Sequence, residues 1–572
     1  MFLGDFMNPI SDKHERLIDS LWMLVLIGVS FAWCISAADA LSATFDEPTY
    51  IECGLAHWNT GSYKGLMRLG TMPLAIDVQT FPLHVWEKRT GSKLDLNRDI
   101  GWAIRIARAG TLVFWTILLL YMFRIGHSLG GSWGGRMASA LVAFEPCMLG
   151  HAAIAGSDIA VTACLVAFAY EFKAGREKSW KKRVGIPAVL YGVALLTKAS
   201  ALVFAPVFML VIEFERLCRL KALADIPVAD WRERLVFLRN GMWKFRSEFF
   251  TIIGFGLLVT FLYIRSDWAT EPTFVQWVQT LPPGKLHDVM LHISEHLKIF
   301  TNAGEGIAQQ IKHNMRGHGT FILGRDYKRA VWYYFPVALA IKASILFLLA
   351  PFGVVAVRAR RFLNWPCLCA IVLLAYSVSC RVQIGIRFMF PLMALAAAGV
   401  GAGGALALRE SQNTWKRTAL AIFFTLGLIY NVAVCWAVWP EGICYTNEFW
   451  GGTSNGYVCL SDSNYDWGQG LKELLKWREA HNVEVIDVWY FGLDPRVNIH
   501  PMRKMQLNEE NYTQGQPLEK VMKGKCVAIS TTMLDGAYLD KSPSGQAAVA
   551  FFKTQKPIGR TTTYIIYDFR QF

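Results

Sequence analysis

The sequence predicts an α-helical polytopic membrane protein that carries a small mixed α/β domain at its C-terminal end. Three observations lead there. Hydrophobic residues make up 53% of the 572-residue chain and charged ones only 18%, a balance unusual for a water-soluble domain. Apolar runs recur along the chain, about eleven of them readable as transmembrane helices by hydropathy. The Lys and Arg residues collect in short bridges between those runs.

The runs begin near Leu17, Gly110, Trp133, Ile159, Val184, Ala201, Phe249, Tyr333, Phe362, Phe388 and Thr418. The first, residues 17–41, has no small-residue cleavage site and reads as a retained anchor rather than a signal peptide. One bridge carries Lys173, Arg176, Lys178, Lys181, Lys182 and Arg183. The next on that side carries Arg216, Arg219, Lys221, Arg232, Arg234, Arg239, Lys244 and Arg246, and later bridges add Arg358, Arg360, Arg361, Arg409, Lys416 and Arg417. This segregation puts those bridges in the cytosol. The formal charge of +14 is then a topology signal, and nucleic acid is not an expected partner. The opposite loops face the periplasm or an equivalent lumen, and an odd number of spans places everything after Pro440 on that side as well.

The expected division is therefore a membrane domain over residues 1–440 and a periplasmic α/β domain over residues 441–572. Within the first, residues 42–107 form the first outer loop and residues 266–332 a second, larger one. The second contains Leu286, Met290, Ile293, Leu297 and Phe300 at alternating four- and three-residue spacing, an amphipathic helix expected to lie along the membrane surface. The tail combines a helix-like "GLKELLKWREA" with strand-like "VEVIDVWYFG", "CVAIST" and "TTYIIYDF", enough for one small core. Of the 12 cysteines, none shows zinc spacing. Cys444 and Cys459 are a close pair in a polar region and are candidates for a disulfide.

Chemistry is sought where charge meets the apolar runs. The stretch "SATFDEPTYIE" sets Asp46 and Glu47 just past the first run and immediately before Pro48. Proline suits the first helical position and biases its predecessor away from helical angles, so a helix is expected to start here with Glu47 as its cap. An acidic pair at a helix start can simply complement the helix dipole, although Glu is a poor cap. The alternative is that Asp46 is a general base at the outer membrane surface. That role needs a substrate proton within reach and positive charge nearby.

Candidate cations follow on the same side: Arg105 and Arg108 where the second run begins, Lys198 in "LLTKAS", Lys342 in "FPVALAIKASILF" and Arg387 in "IGIRFMFP". Ionised groups within a span usually face a cavity or a partner; Lys342 could also snorkel to the interface, and Arg387 could be an interfacial anchor. Asp158, in "HAAIAGSDIAVTA", either stabilises its helix start or lines a site together with His151. Those two residues alone do not make a metal site, so a metal ion is not inferred and the cofactor stays unknown. An outer carboxylate with several cations around an apolar bundle suits displacement of phosphate from an amphiphilic donor. Lys and Arg stabilise the departing phosphate, and one carboxylate deprotonates the attacking hydroxyl.

At this point the chain resembles the integral-membrane glycosyltransferases of the protein mannosyltransferase type, glycosyltransferase family 39 and its bacterial relatives, which have the GT-C fold. The resemblance rests on "FDEPTYIECGLAHWNTGSY", "HAAIAGSDIAVTACLVAFAYEF", "LYGVALLTKASALVFAP", "WYYFPVALAIKAS" and "IGIRFMFPLMAL", and covers most of the membrane part. It implies inverting transfer of a sugar, mannose by the family's name, from a polyprenyl-phosphate donor to a protein or envelope glycan. Asp46 matches the catalytic acidic position of the first loop and Glu47 its neighbour. Asp158 matches a second acidic position near the active site. Lys342 and Arg387 are the leading donor-phosphate contacts, followed by Lys198 and Arg105, with Arg108 and His151 as further substrate-binding candidates.

The chain differs from the family in two places. It reads "LGTMPLAID" where many relatives have a His-Pro-Pro motif, and its tail lacks the repeat-rich lectin-like module of the eukaryotic members. The tail instead carries "NEFWGGTSNGYVCLSDSNYDWGQGLKELLKW", in which Asp462, Asn464, Asp466, Trp467 and Gln469 are either acceptor contacts or a structural turn before a helix. The resemblance implies a bacterial inner membrane location. Two other readings stay open, a lipid acceptor as in aminoarabinose transfer and a lipid or polysaccharide transporter.

Overall fold

The computed structural model describes residues 9–509, 511–535 and 542–570. Five helices are each long and apolar enough to cross a membrane, and a bent pair, Tyr334–Lys342 with Ile345–Phe362, would make a sixth. The other apolar runs form shorter or more charged helices, among them Asp158–Gly175, Ile186–Thr197, Ala201–Cys218 and Trp365–Ser377. The runs beginning near Gly110 and Trp133 share one helical stretch, Leu96–Ala143, broken at Gly131 with φ 69° and ψ −166°. The chain doubles back there. Gly126 and Gly134 approach so closely that a Cβ on either would strike the other's backbone.

The centre of the bundle is Phe390–Glu410, 83% buried over its apolar window, packed along Leu96–Ala143. Its run of Gly and Ala is the reason. A Cβ on Gly401 would sit 2.7 Å from the backbone nitrogen of Ala138, so only small residues let two helix backbones meet this closely. The helix Asp158–Gly175 then fixes direction. Its 18 residues span about 27 Å at the helical rise, with Asp158 at one end and Lys173 at the other. At the Lys173 end the predicted cytosolic bases are paired: Lys173 with Glu215 at 2.7 Å, Arg176 with Glu213 at 2.9 Å, and Arg183 with Glu248 at 2.8 Å.

On the Asp158 side, the predicted first outer loop folds into Glu47–Thr60, Lys64–Arg68 and Pro73–Thr90. The larger loop contains Pro272–Gln279, Lys285–His296 and Ala303–Arg316 and a short hairpin, Thr320–Ile322 with Arg325–Tyr327. The predicted apolar stripe falls largely on Lys285–His296, where Leu286 and Ile293 are exposed; the Phe300 side chain lies outside the described residues.

The tail builds a five-stranded sheet in the order Met502–Met505, Ile486–Trp489, Cys526–Ser530, Tyr564–Asp568, Gly559–Arg560. The first three strands are parallel and the last two antiparallel. The two central parallel strands are buried on both faces, which is why they read as continuous apolar runs. One face carries Val488, Ala528 and Ile566 in a core of its own. The other carries Trp489, Val527 and Ile529 and shares a cluster with Ile154, Ile443 and Trp467, so the sheet is seated on the membrane part. Cys444 and Cys459 are not bridged; the Cys444 thiol donates to the Tyr465 carbonyl at 2.8 Å.

Candidate functional site

The segment between the first helix, Pro9–Ala40, and Glu47–Thr60 is held from both sides. Ser42 and Phe45 donate their backbone N–H groups to the carbonyls of Gln469 and Trp467, each at 2.8 Å, and the Phe45 ring stacks on Phe491 at 5.1 Å. From the other side Glu47 is fixed by Arg108, whose Nε and Nη2 donate to its two carboxylate oxygens at 2.8 and 2.7 Å. The same carboxylate accepts from the backbone N–H of Thr44 at 2.8 Å and of Ala155 at 2.7 Å. Arg108 spends its remaining donors on the carbonyls of Ala38, Leu41 and Ser42. Burial alone would raise the Glu47 carboxyl, but Arg108 and the two backbone donors carry it below the ordinary range.

With both ends of the segment clamped, Asp46 turns away from Glu47 into a cavity of about 390 Å³. Asp46, not Glu47, is the residue preceding the helix, and its side chain caps nothing. Its Oδ2 lies 3.6 Å from Nη1 of Arg387, and the Tyr50 hydroxyl, one turn along the helix, donates to it at 3.5 Å. Arg387 in turn lies 3.5 Å from Asp158, and Asp158 accepts from Lys198 at 2.5 Å. Two carboxylates and two cations thus alternate in a chain: Asp46, Arg387, Asp158, Lys198. Burial raises the Asp46 carboxyl above the usual carboxylate range, with Arg387 and Lys198 drawing it down and Asp158 pushing it up.

Arg387 is the least satisfied member. Its residue is 8% exposed, its guanidinium lies over the Trp467 ring at 4.1 Å, and its Nε is buried with no hydrogen-bond partner. A buried guanidinium with an unspent donor is costly unless an acceptor reaches it. The rest of the wall is largely apolar, including Leu69, Met72, Leu202, Phe204, Phe335 and Phe388. Ile307, Gln310 and His313 from Ala303–Arg316 close one side, and Gln310 secures that helix by donating to the Gly70 carbonyl at 2.8 Å.

The remaining sequence candidates are elsewhere. Glu47 and Arg108 form the internal clamp, each side chain 1% exposed, and neither lines the cavity. Arg105 is half-exposed on a different groove, paired with Asp39 at 2.8 Å. Lys342 neither snorkels nor reaches the cavity. It is fully buried and donates to the carbonyls of Ile443 and Asn464, each at 2.6 Å, because it sits where the bend after Tyr334–Lys342 meets the chain leading into the tail domain. His151 is buried edge-on to Phe390 at 4.8 Å, with Nδ1 on the Cys147 carbonyl at 2.9 Å. In the "SDSNYDWGQG" stretch, Asn464 donates to the Tyr334 hydroxyl and accepts from the Ile386 N–H, each at 2.8 Å. Asp466 binds Ser530 and Thr532. These residues join the two parts of the molecule. Tyr50 was missed from sequence, although its i+4 spacing from Asp46 on a helix was the available signal.

Among the described residues no group of three or more His, Cys, Asp or Glu is arranged to hold a metal. No protein-family model and no curated protein sequence matches the chain. Among solved structures it is similar to ArnT from Cupriavidus metallidurans bound to undecaprenyl phosphate, at 14% identity and TM-score 0.43 over 95% of this chain and 97% of that one. The apo state of the same protein gives 13% and 0.29 over 96% and 97%. An apo oligosaccharyltransferase from Archaeoglobus fulgidus gives 10% and 0.43 over 90% and 70%.

Proposed function

We propose that the protein is a membrane glycosyltransferase that moves a monosaccharide from a polyprenyl-phosphate donor to an acceptor hydroxyl, with inversion at the anomeric carbon. The observation that carries this reading is the buried Arg387, its Nε without a hydrogen-bond partner, beside the Asp46 carboxylate at one apolar-walled cavity. The motifs that resemble the protein mannosyltransferase type supply Asp46, Asp158, Lys198 and Arg387, the four members of the charge chain.

In this reading the prenyl chain lies along the apolar wall and the phosphodiester meets Arg387 and Lys198. Asp46 accepts the proton of the acceptor hydroxyl as its oxygen attacks the anomeric carbon. The bond from that carbon to the phosphate oxygen breaks, and its electron pair leaves with the phosphate. Net charge in the site is unchanged, because one negative charge passes from Asp46 to the leaving phosphate. Arg387, already within 3.6 Å of Asp46, stabilises that charge before and after the transfer. Asp158 is a positioning residue that keeps both cations at the cavity. Protein, glycan and lipid acceptors share this chemistry.

The test is incubation of the detergent-solubilised protein with a radiolabelled polyprenyl-phosphate sugar and a membrane extract as acceptor source. Release of free polyprenyl phosphate with label in a new product is expected. Donor that crosses liposomes carrying the protein with its sugar bond intact makes the protein a transporter and ends this reading.

Two further outcomes follow from the charge chain. Because burial lifts the Asp46 carboxyl and the base works only when ionised, kcat/KM should rise with pH through an inflection above about 4, the ordinary Asp value. A profile flat down to that value would remove Asp46 from the proton transfer. Arg387→Lys keeps one charge but loses the planar fork; turnover should fall at least about tenfold, as for a lost charge-assisted hydrogen bond in the transition state. Unchanged turnover in this variant would place the phosphate elsewhere.

A further inference from the structure

A second groove runs beside the first helix, separate from the Asp46 cavity. It has a volume of about 570 Å³ and lies between Pro9–Ala40, the first leg of Leu96–Ala143, and Pro146–Ala152. Its wall is made narrow-sided by Ala32, Ala109, Ala152 and Ala153, leaving a slot where larger residues would fill the space between the helices. Ile35 on the same wall is 57% exposed, so the slot opens to the side, toward the hydrocarbon layer.

One end of the slot is charged. Asp39, Arg105 and Arg108 line it, and Lys472, from the tail-domain helix Leu471–Ala480, reaches over to donate to the Asp39 carbonyl at 2.5 Å. Arg105, Arg108 and Arg496 all lie close enough to act on Lys472, and those three are matched. Arg105 pairs with Asp39 at 2.8 Å, Arg108 with Glu47 at 2.7 Å, and Arg496 with Asp494. The carboxylate of Asp39 is thus taken by Arg105, and among the described residues Lys472 has only that residue's carbonyl. The Lys472 ammonium is held down to about 8 by burial first, then by Arg496, Arg108 and Arg105, against the opposing pull of Asp39. An added negative charge at this point would relieve that crowding.

We infer that this groove binds an anionic glycerophospholipid, with one acyl chain in the alanine-walled slot and the phosphodiester beside Lys472 and Arg105. The match is one of charge and shape: one unmatched cation for one phosphodiester charge, above a slot open to the hydrocarbon layer. Because Lys472 belongs to the tail domain and the slot to the membrane bundle, the lipid ties the two together. The inference is independent of the glycosyl-transfer reading.

The test is native mass spectrometry of the full-length protein released from detergent, titrated with phosphatidylglycerol and with phosphatidylcholine of identical chains. The wild type should retain one phosphatidylglycerol in preference to phosphatidylcholine. Lys472→Gln should weaken phosphatidylglycerol binding roughly fivefold, as for one basic residue near an anionic lipid surface, and Lys472→Arg should restore it. Ala109→Trp, at an exposed position of the slot, should remove the adduct. Equal retention of both lipids by the wild type, undiminished phosphatidylglycerol binding by Lys472→Gln, or an adduct that survives Ala109→Trp would each overturn the proposal.

Discussion

Asp46→Asn should lower the sugar-transfer rate by about 10²- to 10⁴-fold, the usual contribution of a positioned general base, while the protein purifies and unfolds as the wild type does. The substitution keeps the shape of the side chain and removes its capacity to take a proton. It should not disturb the fold, because Asp46 caps no helix end and its contacts are long, 3.6 Å to Arg387 and 3.5 Å from Tyr50. Donor affinity should hold or improve, since one negative charge beside the incoming phosphate is gone. That split, with turnover lost and binding kept, separates a base from a residue that only shapes the cavity. Asp46→Asn protein that transfers sugar at the wild-type rate would remove the central step of the proposed reaction.

The four members of the charge chain were legible in the sequence because charge is rare at the edges of apolar runs. Asp46, Asp158, Lys198 and Arg387 each follow or precede such a run on one predicted side; sidedness narrows the candidates without making them neighbours, since Arg105 shares that side and lies on a different groove. What the sequence could not tell was direction. Asp46 and Glu47 are adjacent, and successive residues at a helix start point about 100° apart, so one enters the cavity while the other is committed to Arg108. Lys342 shows a different limit. A lysine inside an apolar run does signal a buried partner, but here the partners are main-chain carbonyls 101 and 122 residues away, and carbonyls leave no pattern in a sequence. The same holds for Ala303–Arg316. The apolar stripe read from the sequence covers residues 286–300 and does not single this helix out, and the helix's placement beside the cavity depends on contacts such as Gln310 to the Gly70 carbonyl.

Arg108→Met should be the most destabilising single change in the membrane part, by about 3–5 kcal/mol, the cost of leaving one half of a buried ion pair uncompensated. Both side chains of the pair are 1% exposed, so neither water nor salt screens the loss. The change also orphans the carbonyls of Ala38 and Ser42, which the guanidinium now serves at 2.8 and 2.6 Å. Glu47→Gln should cost less, because an amide still accepts from Thr44 or Ala155 but cannot offer Arg108 two charged oxygens. In the double variant Glu47→Leu with Arg108→Met no charge stays buried, so part of the stability should return; the recovery stops short of wild type because the backbone groups remain unpaired. Thermal unfolding in detergent, followed by tryptophan fluorescence, measures all three. Should Glu47→Gln unfold at the wild-type temperature and lose only turnover, Glu47 would belong to the chemistry and the clamp would not be what holds Asp46 in place.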